Sequence, residues 1–185
     1  MKKIPTLFVR DPEDRRYVLD QVNPGCEWVI SGEGVATRKY DGTCLLLDQE
    51  GAWYARREVK PGKTPPPGWW QADRDELTGK SVGWEPIGNS AFVRFFDEAV
   101  RYAEEDGPYV AGTYELIGPK INGNPEDAIR HALVPHATAE VMNEPGRDFA
   151  SLSAWLPQQP HEGVVWHHPD GRMVKLKRRD FPPLP

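Results

Sequence analysis

The sequence has few cysteines, no long apolar run and no excess of basic residues, and each absence excludes a class of protein. Its two cysteines, Cys26 and Cys44, lack the spacing of a metal-binding motif and can form at most one disulfide, so we expect a reducing compartment. A run of about 18 apolar residues is missing, as is an apolar signal-peptide core, so we expect a cytoplasmic protein with no membrane partner. A net charge of −5 argues against broad, sequence-independent adhesion to nucleic acid, so a polyanion site must be local.

Hydrophobic residues make up 38% of the 185, which favours one buried core and a single soluble domain over residues 1–185. Helical spacing of apolar residues predicts a helix over residues 90–106 and a shorter one over 148–156, while the proline-rich segment 60–70 predicts a loop. Turn-forming residues at 48–51 and 169–171 predict that the first three strands are antiparallel neighbours, and the last two likewise. The predicted strands are residues 35–39, 43–48, 52–56, 109–117, 162–167 and 172–177.

Lys39 opens the string Lys-Tyr-Asp-Gly at the end of a predicted strand, where a lysine can be a covalent nucleophile for a nucleotide. By itself such a short string is weak evidence. Four further segments follow in order: Tyr-Ala-Arg-Arg at 54–57, Thr-Tyr-Glu-Leu-Ile-Gly at 113–118, Glu-Gly-Val-Val-Trp at 162–166 and Val-Lys-Leu-Lys at 174–177. This series resembles the motifs of the covalent nucleotidyltransferase superfamily of polynucleotide ligases and mRNA capping enzymes. The resemblance implies an α+β fold, the nucleotidyltransferase (ATP-grasp-like ligase adenylylation) domain, with antiparallel sheets flanking a nucleotide cleft.

Strand alternation predicts where the charged side chains of the last two segments point. Lys175 and Lys177 should share one face of their strand, and Glu162 should share a face with Val164 and Trp166. If the two strands pair, the glutamate and the lysines can line one cleft. The alternative is that the Lys-x-Lys strand is an exposed sheet edge whose charges prevent aggregation.

Nucleotidyl transfer requires Lys39 as a neutral amine, which nearby cations such as Lys175, Lys177 and Arg56 would favour. The same cations would neutralise the attacked α-phosphate, with Mg²⁺ or Mn²⁺ held by Glu162. A carboxylate inside an apolar strand, as at residue 115, needs a ribose hydroxyl, a metal or a basic side chain, and a structural salt bridge is the alternative. Asp41 and Gly42 allow close backbone approach to a ribose or phosphate, and their alternative is an ordinary hairpin turn.

A closer resemblance covers nearly the whole chain from about Val35 onward. It is to the stand-alone 5′-to-3′ RNA ligase family of vertebrates, of the RNA ligase 1 type. The segments that carry it are residues 113–125 (Thr-Tyr-Glu-Leu-Ile-Gly-Pro-Lys-Ile-Asn-Gly-Asn-Pro), 162–171 (Glu-Gly-Val-Val-Trp-His-His-Pro-Asp-Gly), 54–56, 83–86, 133–136 and 152–156.

This family's activity implies an ATP-dependent RNA ligase that joins 5′-phosphate and 3′-hydroxyl RNA ends through a lysyl-AMP intermediate, in RNA repair. Carried over by position, Lys39 is the nucleophile, Arg56 contacts ribose or phosphate, and Glu115 contacts ribose. Glu162 is then the metal ligand, and Lys175 and Lys177 bind the α-phosphate. Candidate RNA contacts are Arg57, Lys60, Lys63, Asn122, Arg178 and Arg179.

The chain departs from related ligases in two respects. Arg38 stands directly before the nucleophile, where related RNA ligases often have a glutamate that reads the adenine amino group, so adenine preference is open. An arginine here would either read another base or point away from the nucleotide. Only residues 178–185 follow Lys177, so we expect no oligonucleotide-binding (OB) domain, and Lys60, Lys63, Arg178 or Arg179 would then meet the pyrophosphate. The alternatives are a GTP-dependent guanylyltransferase, a DNA nick ligase, or a catalytically silent RNA- or nucleotide-binding module.

Overall fold

The computed structural model describes residues 3–76, 78–102 and 108–182 of a mixed α/β protein. Within these ranges, every pair of named strands is antiparallel. The chain divides into two compact units. The first unit comprises Met1–Lys3 and Asp41–Thr138, and the second comprises Ile4–Tyr40 and Ala139–Pro185.

The second unit is built on a three-stranded sheet. Its strands lie in the order β11-β10-β3, so β10 is the central strand and pairs with both of the others. Lys39 is the last residue of β3. A separate hairpin of β1 and β2 precedes a single helical turn, α1. The elements are β1 (Phe8–Arg10), β2 (Val18–Val22), α1 (Glu27–Ile30), β3 (Val35–Lys39), α3 (Phe149–Trp155), β10 (Gly163–His167) and β11 (Met173–Lys177).

One face of this three-stranded sheet forms the core of the second unit. Val164 and Trp166 of β10 lie beside Val174 and Leu176 of β11, and all four are fully or almost fully buried. Helix α3 adds Leu152, and its N-terminus is capped by Asp148, whose carboxylate accepts the Ser151 backbone N–H. The lysines of β3 and β11 therefore occupy the other face.

The first unit is built on a six-stranded sheet in the order β6-β7-β5-β4-β8-β9. Its amphipathic helix α2 covers one sheet face, where Phe96 and Ala99 pack against Leu45, Ala55 and Leu116. Alternation puts the neighbours of these strand residues on the face opposite α2. The elements are β4 (Thr43–Leu47), β5 (Trp53–Val59), β6 (Trp70–Arg74), β7 (Ser81–Pro86), α2 (Val93–Tyr102), β8 (Gly112–Ile117) and β9 (Ala132–Pro135).

Most predicted elements are present, with shifted ends. All six predicted strands form, and the predicted helices correspond to α2, which begins at Val93, and α3. Residues 103–106 of the first predicted helix lie outside the described residues. The loop prediction for 60–70 holds until Trp70, which begins β6. Strands β1, β2, β6, β7 and β9 and the turn α1 were not predicted.

The predicted antiparallel pairing of the first three strands is only half right. Strands β4 and β5 pair through the turn at 48–51, and β10 and β11 pair through the turn at 169–171. Strand β3 does not pair with β4, because its partner is β10, while β4 lies between β5 and β8. Partners distant in sequence thus replace the local hairpin at Asp41-Gly42. In the described part of the chain, no helix is long and apolar enough to cross a bilayer.

Candidate functional site

Lys39 and Lys177 lie on either side of Gly163 in the three-stranded sheet. The strand register pairs Gly163 with Lys39 on β3 and with Lys177 on β11, so the two lysines share a face across three adjacent strands. Val165, the next residue of β10 on this face, pairs with Lys175. The structure therefore brings Lys39, Lys175 and Lys177 to one face, opposite the buried core.

The carboxylate of Glu162 bridges the two lysines beside Gly163. One oxygen accepts from the Lys39 ammonium and the other from the Lys177 ammonium. Burial would raise the pKa of Glu162, but the ammonium groups of Lys39 and Lys177 outweigh it and hold that pKa below its ordinary value of 4.5. The side chain of Glu162 is only 9% exposed, against 20% for Lys39 and 16% for Lys177, so this is a largely desolvated cluster of three charges.

The predicted face of Glu162 was wrong. Alternation along the strand would have put it with Val164 and Trp166, but those two side chains are buried in the core. Strand β10 begins only at Gly163, so Glu162 precedes the regular alternation and its side chain reaches the lysine face. Its backbone carbonyl is fixed by the N–H of Arg178, at 2.8 Å.

Strand β11 is not the exposed edge that the alternative interpretation required. The segment before β1 pairs along it: the Lys175 backbone N–H donates to Pro5, and the Leu7 N–H donates to the Lys175 carbonyl, both at 2.9 Å. The Lys-x-Lys pattern therefore places two cations on a strand with partners on both sides. Protection of a free edge does not account for these lysines.

Gly163 is needed where it stands because the chain approaches β11 too closely for a side chain. A Cβ atom at this position would lie 2.2 Å from the carbonyl oxygen of Leu176 and 2.8 Å from Cα of Lys177. We expect Gly163→Ala to lower the free energy of unfolding by about 1–3 kcal/mol, as overpacking does, in urea denaturation. Gly88→Ala is the matched control, since its new Cβ would meet no atom within 4 Å, and an equal loss in both variants would contradict the steric explanation.

Arg38, which departs from related ligases, points away from the lysine face. Its guanidinium forms an ion pair with Glu140 at 3.4 Å and stacks over the ring of Tyr40, 4.5 Å from the centroid. Its backbone N–H also donates to the Glu140 carbonyl, at 2.8 Å. Of the uses considered from sequence, reading a base or pointing away, the geometry supports the second.

In the first unit, hydrogen bonds from three side chains fix the backbone of Asp41 and Gly42. The Asp41 N–H donates to Glu126 at 2.7 Å, and the Gly42 N–H donates to Glu115 at 3.1 Å. Asn122 donates its amide to the Asp41 carboxylate and the Gly42 carbonyl, at 3.0 and 2.9 Å. Asn122, a candidate RNA contact from the sequence, therefore also holds this loop.

Gly42 permits a close approach of its backbone to strand β8, whereas the sequence suggested an approach to a ligand. A Cβ here would lie 2.3 Å from the carbonyl oxygen of Leu116. The absent side chain lets the loop lie against β8, where Gly42 can donate to Glu115. Asp41 and Gly42 thus present a rigid backbone rather than a free turn.

Glu115 is buried, and its carboxylate has protein partners on both oxygens. One oxygen accepts the Gly42 N–H, and the other lies 3.0 Å from Nε2 of His136. The second ring nitrogen of His136, Nδ1, lies 2.9 Å from the hydroxyl of Thr113. Of the three kinds of partner that the sequence left open for Glu115, the structure supplies a basic side chain, His136.

Arg56 shares a sheet face with Glu115, on the side opposite α2. Arg56 follows Ala55 on β5, and Ala55 pairs with Leu45 on β4. Cys44 precedes Leu45, so Arg56 and Cys44 share the other face of the sheet, where Cys44 pairs with Glu115 on β8. Among the described residues, no hydrogen bond or ion pair engages the Arg56 guanidinium. This arginine is available to an anionic ligand on that face.

The candidate RNA contacts are exposed and are divided between the two units. In the first unit, Arg57 projects from the sheet face opposite Arg56 and lies 3.6 Å from the buried Glu85. Lys60 and Lys63 lie in the loop after β5. In the second unit, Arg178 and Arg179 follow β11, and Arg178 donates to the Gln159 carbonyl at 3.0 Å.

Comparison with known proteins finds a family that part of this chain resembles. Residues 108–182 match the family model described as RNA ligase 1. The resemblance to the RNA ligase 1 family is confirmed over this segment. RNA ligase 1 of Danio rerio is 36% identical over 74 aligned residues, and RNA ligase 1 of Mus musculus is 38% identical over 74. Each alignment covers 36% of this chain and 23% of the relative, so the match spans about a quarter of the curated relatives' length.

The segment matched to RNA ligase 1 contains one part of the candidate site and not the other. Glu115, His136, Glu162, Lys175 and Lys177 lie inside residues 108–182. Lys39, Asp41, Gly42 and Arg56 lie before it, so their assignment depends on the motifs and on the contacts just described.

Sequence reasoning missed Cys44, Thr113, His136 and Glu126 as members of these networks. His136 was visible only as the end of the Leu-Val-Pro-His string, which has no chemical signature of its own. Cys44 and Thr113 follow from the pairing of β4 with β8, which a single sequence does not reveal. No local pattern marks Glu126.

Proposed function

We propose that this chain is an ATP-dependent RNA ligase acting in RNA repair, with Lys39 as the covalent nucleophile. The observation that carries the proposal is the bridge from Lys39 through Glu162 to Lys177, which joins three motif residues that are far apart in the sequence. The confirmed RNA ligase 1 resemblance over residues 108–182 supports the reaction class. The motif order further supports a nucleotidyltransferase domain with a nucleotide cleft.

The proposed reaction has three steps. The neutral amine of Lys39, having lost a proton to solvent, attacks the α-phosphorus of ATP, forming a nitrogen–phosphorus bond and releasing pyrophosphate. AMP then passes from lysine to the 5′-phosphate of RNA, restoring the amine and giving a 5′–5′ pyrophosphate bond. Finally, the RNA 3′-hydroxyl attacks the RNA 5′-phosphorus, forming the phosphodiester and releasing AMP.

Each candidate residue has a task in this scheme. Lys177 and Lys175 would neutralise the α-phosphate, because they share the sheet face that carries Lys39. Arg56 and Glu115, which share the face of their own sheet opposite α2, would contact phosphate and ribose, and Asp41 and Gly42 would supply fixed backbone. Exposed cations at 57, 60, 63, 178 and 179 would contact RNA phosphates or pyrophosphate.

Glu162 fits the requirements of a Mg²⁺ or Mn²⁺ ligand. Its lowered pKa keeps it ionised at neutral pH, and carboxylate oxygens are the donors that Mg²⁺ prefers. Both oxygens now accept from lysines, so metal binding and release of the Lys39 ammonium from Glu162 would be coupled. When bound, the ion would supply positive charge to the reacting phosphates.

A ligation assay tests the proposed function directly. Incubated with ATP and Mg²⁺, the protein should join RNA bearing a 5′-phosphate to RNA bearing a 3′-hydroxyl, and the same RNA with a 5′-hydroxyl should stay unjoined. A matched DNA duplex with a single nick, and GTP in place of ATP, complete the comparison. Sealing of DNA alone would indicate a DNA ligase, and labelling by GTP alone would indicate a guanylyltransferase.

A further inference from the structure

Three metal-ligating side chains of different chemistry meet on the face of the six-stranded sheet opposite α2. Cys44 lies directly opposite Glu115 in the pairing of β4 with β8. His136 follows β9 immediately, and β9 pairs with β8, so its ring reaches the same place. One donor atom from each residue lies within 4.8 Å of the other two. We propose that Cys44, Glu115 and His136 bind a divalent transition-metal ion of the Zn²⁺ class. The site goes beyond the proposed ligase steps, and an ion bound there would occupy the Glu115 carboxylate and displace its proposed ribose contact.

The chemistry of the donors matches that ion class. Zn²⁺ accepts thiolate sulfur, imidazole nitrogen and carboxylate oxygen, and three protein ligands with an open fourth position are typical of its reactive sites. Its bond lengths put neighbouring donor atoms about 3.5 Å apart, so closure from 4.8 Å requires donor shifts of only about 1 Å. A sulfur ligand favours Zn²⁺ over Mg²⁺ or Ca²⁺.

Contacts outside the three ligands already orient them for an ion. Nδ1 of His136 is engaged by the Thr113 hydroxyl at 2.9 Å, which turns Nε2 towards Glu115. The first carboxylate oxygen of Glu115 accepts the Gly42 N–H, which turns its second oxygen towards His136. Supporting hydrogen bonds of this kind fix the ring orientation and the basicity of metal ligands. Binding releases the Cys44 thiol proton to solvent, leaving the thiolate as ligand.

Cobalt(II) is the probe for this site, because a thiolate ligand gives Co²⁺ a charge-transfer band in the near ultraviolet. The full chain, reduced and free of nucleotide and RNA, should bind one Co²⁺ with this band and with the strong visible absorption of four-coordinate cobalt. Excess Zn²⁺ should abolish both signals. A wild-type protein that binds Co²⁺ without a charge-transfer band would overturn the proposal.

Variants identify the ligands. Cys44→Ser should lose the charge-transfer band, whereas Cys26→Ser, which changes the other cysteine in the second unit, should keep it. Thr113→Val leaves all three ligands in place but removes the partner of His136, and should weaken Co²⁺ binding by about 10- to 100-fold. Unchanged far-ultraviolet circular dichroism shows that each variant is folded.

Persistence of the band in Cys44→Ser, or full-strength binding by both His136→Gln and Glu115→Gln, would disprove the assignment. The cobalt signal is recorded without ATP or RNA, so it tests the metal site independently of ligation. Cobalt binding without ligation would support the metal site and contradict the ligase function. Ligation without a cobalt band would support the ligase function and contradict the metal site.

Discussion

Wild-type protein mixed with ATP and Mg²⁺ will gain the mass of one AMP, and Lys39→Arg will gain none. The nucleophile must be a neutral amine, and a guanidinium stays protonated and does not supply one. Arginine keeps a cation beside Glu162, so this variant separates loss of the nucleophile from loss of the buried charge balance. Intact-mass spectrometry, with and without ATP, records the result, and the expected effect is complete loss of the adduct.

Lys80→Ala is the matched control for this experiment. Lys80 is half-exposed and forms an ion pair with Glu58 at 3.1 Å, and it has no assigned role in the candidate site. It should form the AMP adduct to the same extent as wild type. An adduct of equal yield on Lys39→Arg would refute the nucleophile assignment. A wild type that forms no adduct with any nucleoside triphosphate would favour a catalytically silent module.

Glu162→Gln should lower the free energy of unfolding at pH 7 by about 3–5 kcal/mol. Removing one partner of a buried ion pair leaves the remaining charges without compensation, and here two ammonium groups would face each other. Urea denaturation followed by tryptophan fluorescence measures this loss. Glu58→Gln is the control, because the exposed pair with Lys80 should contribute under about 1 kcal/mol.

The stability that Glu162 contributes should depend on pH. The pKa of Glu162 in the folded protein lies below 4.5, so its contribution to stability is fully present above about pH 4.5 and is lost as the pH falls through the folded value. The difference between wild type and Glu162→Gln should therefore be constant near neutrality and shrink in acid. A difference that does not change down to about pH 3 would show that these charge interactions are not its source.

A double variant tests whether the two lysines repel each other once Glu162 is neutral. Lys177→Met in the Glu162→Gln background should recover part of the lost stability, because one of the uncompensated charges is gone. Simple additivity of the two single changes would argue against a coupled three-charge cluster.

The sequence predicted those parts of the fold that depend on local pattern. Strands β10 and β11 and the turn between them follow from alternating apolar residues and Pro-Asp-Gly, and α3 follows from its Asp148 cap and Pro157. The predicted hairpin after Lys39 failed, because β3 instead pairs with β10, more than 100 residues later in the chain. Pairing over such separations is decided by the whole sheet and not by the turn residues.

For the candidate site, the sequence predicted which residues take part but not how they contact one another. The identities of Lys39, Glu162 and Lys177 came from motif order, but the bridge between them depends on Glu162 lying just before β10. The Cys44–Glu115–His136 cluster was beyond the reach of sequence, since cysteine spacing argued against a metal motif. Cys44 comes from β4, Glu115 from β8 and His136 from the turn after β9.

The ion pair between Arg38 and Glu140 limits how base preference could be re-engineered. An R38E substitution, introduced to imitate ligases with an acidic residue before the nucleophile, would set two carboxylates against each other where a pair 3.4 Å apart now exists. It would also remove the cation stacked on Tyr40. A charge swap, R38E together with E140R, is therefore the smallest change that could install an acidic reader while keeping the pairing beside β3.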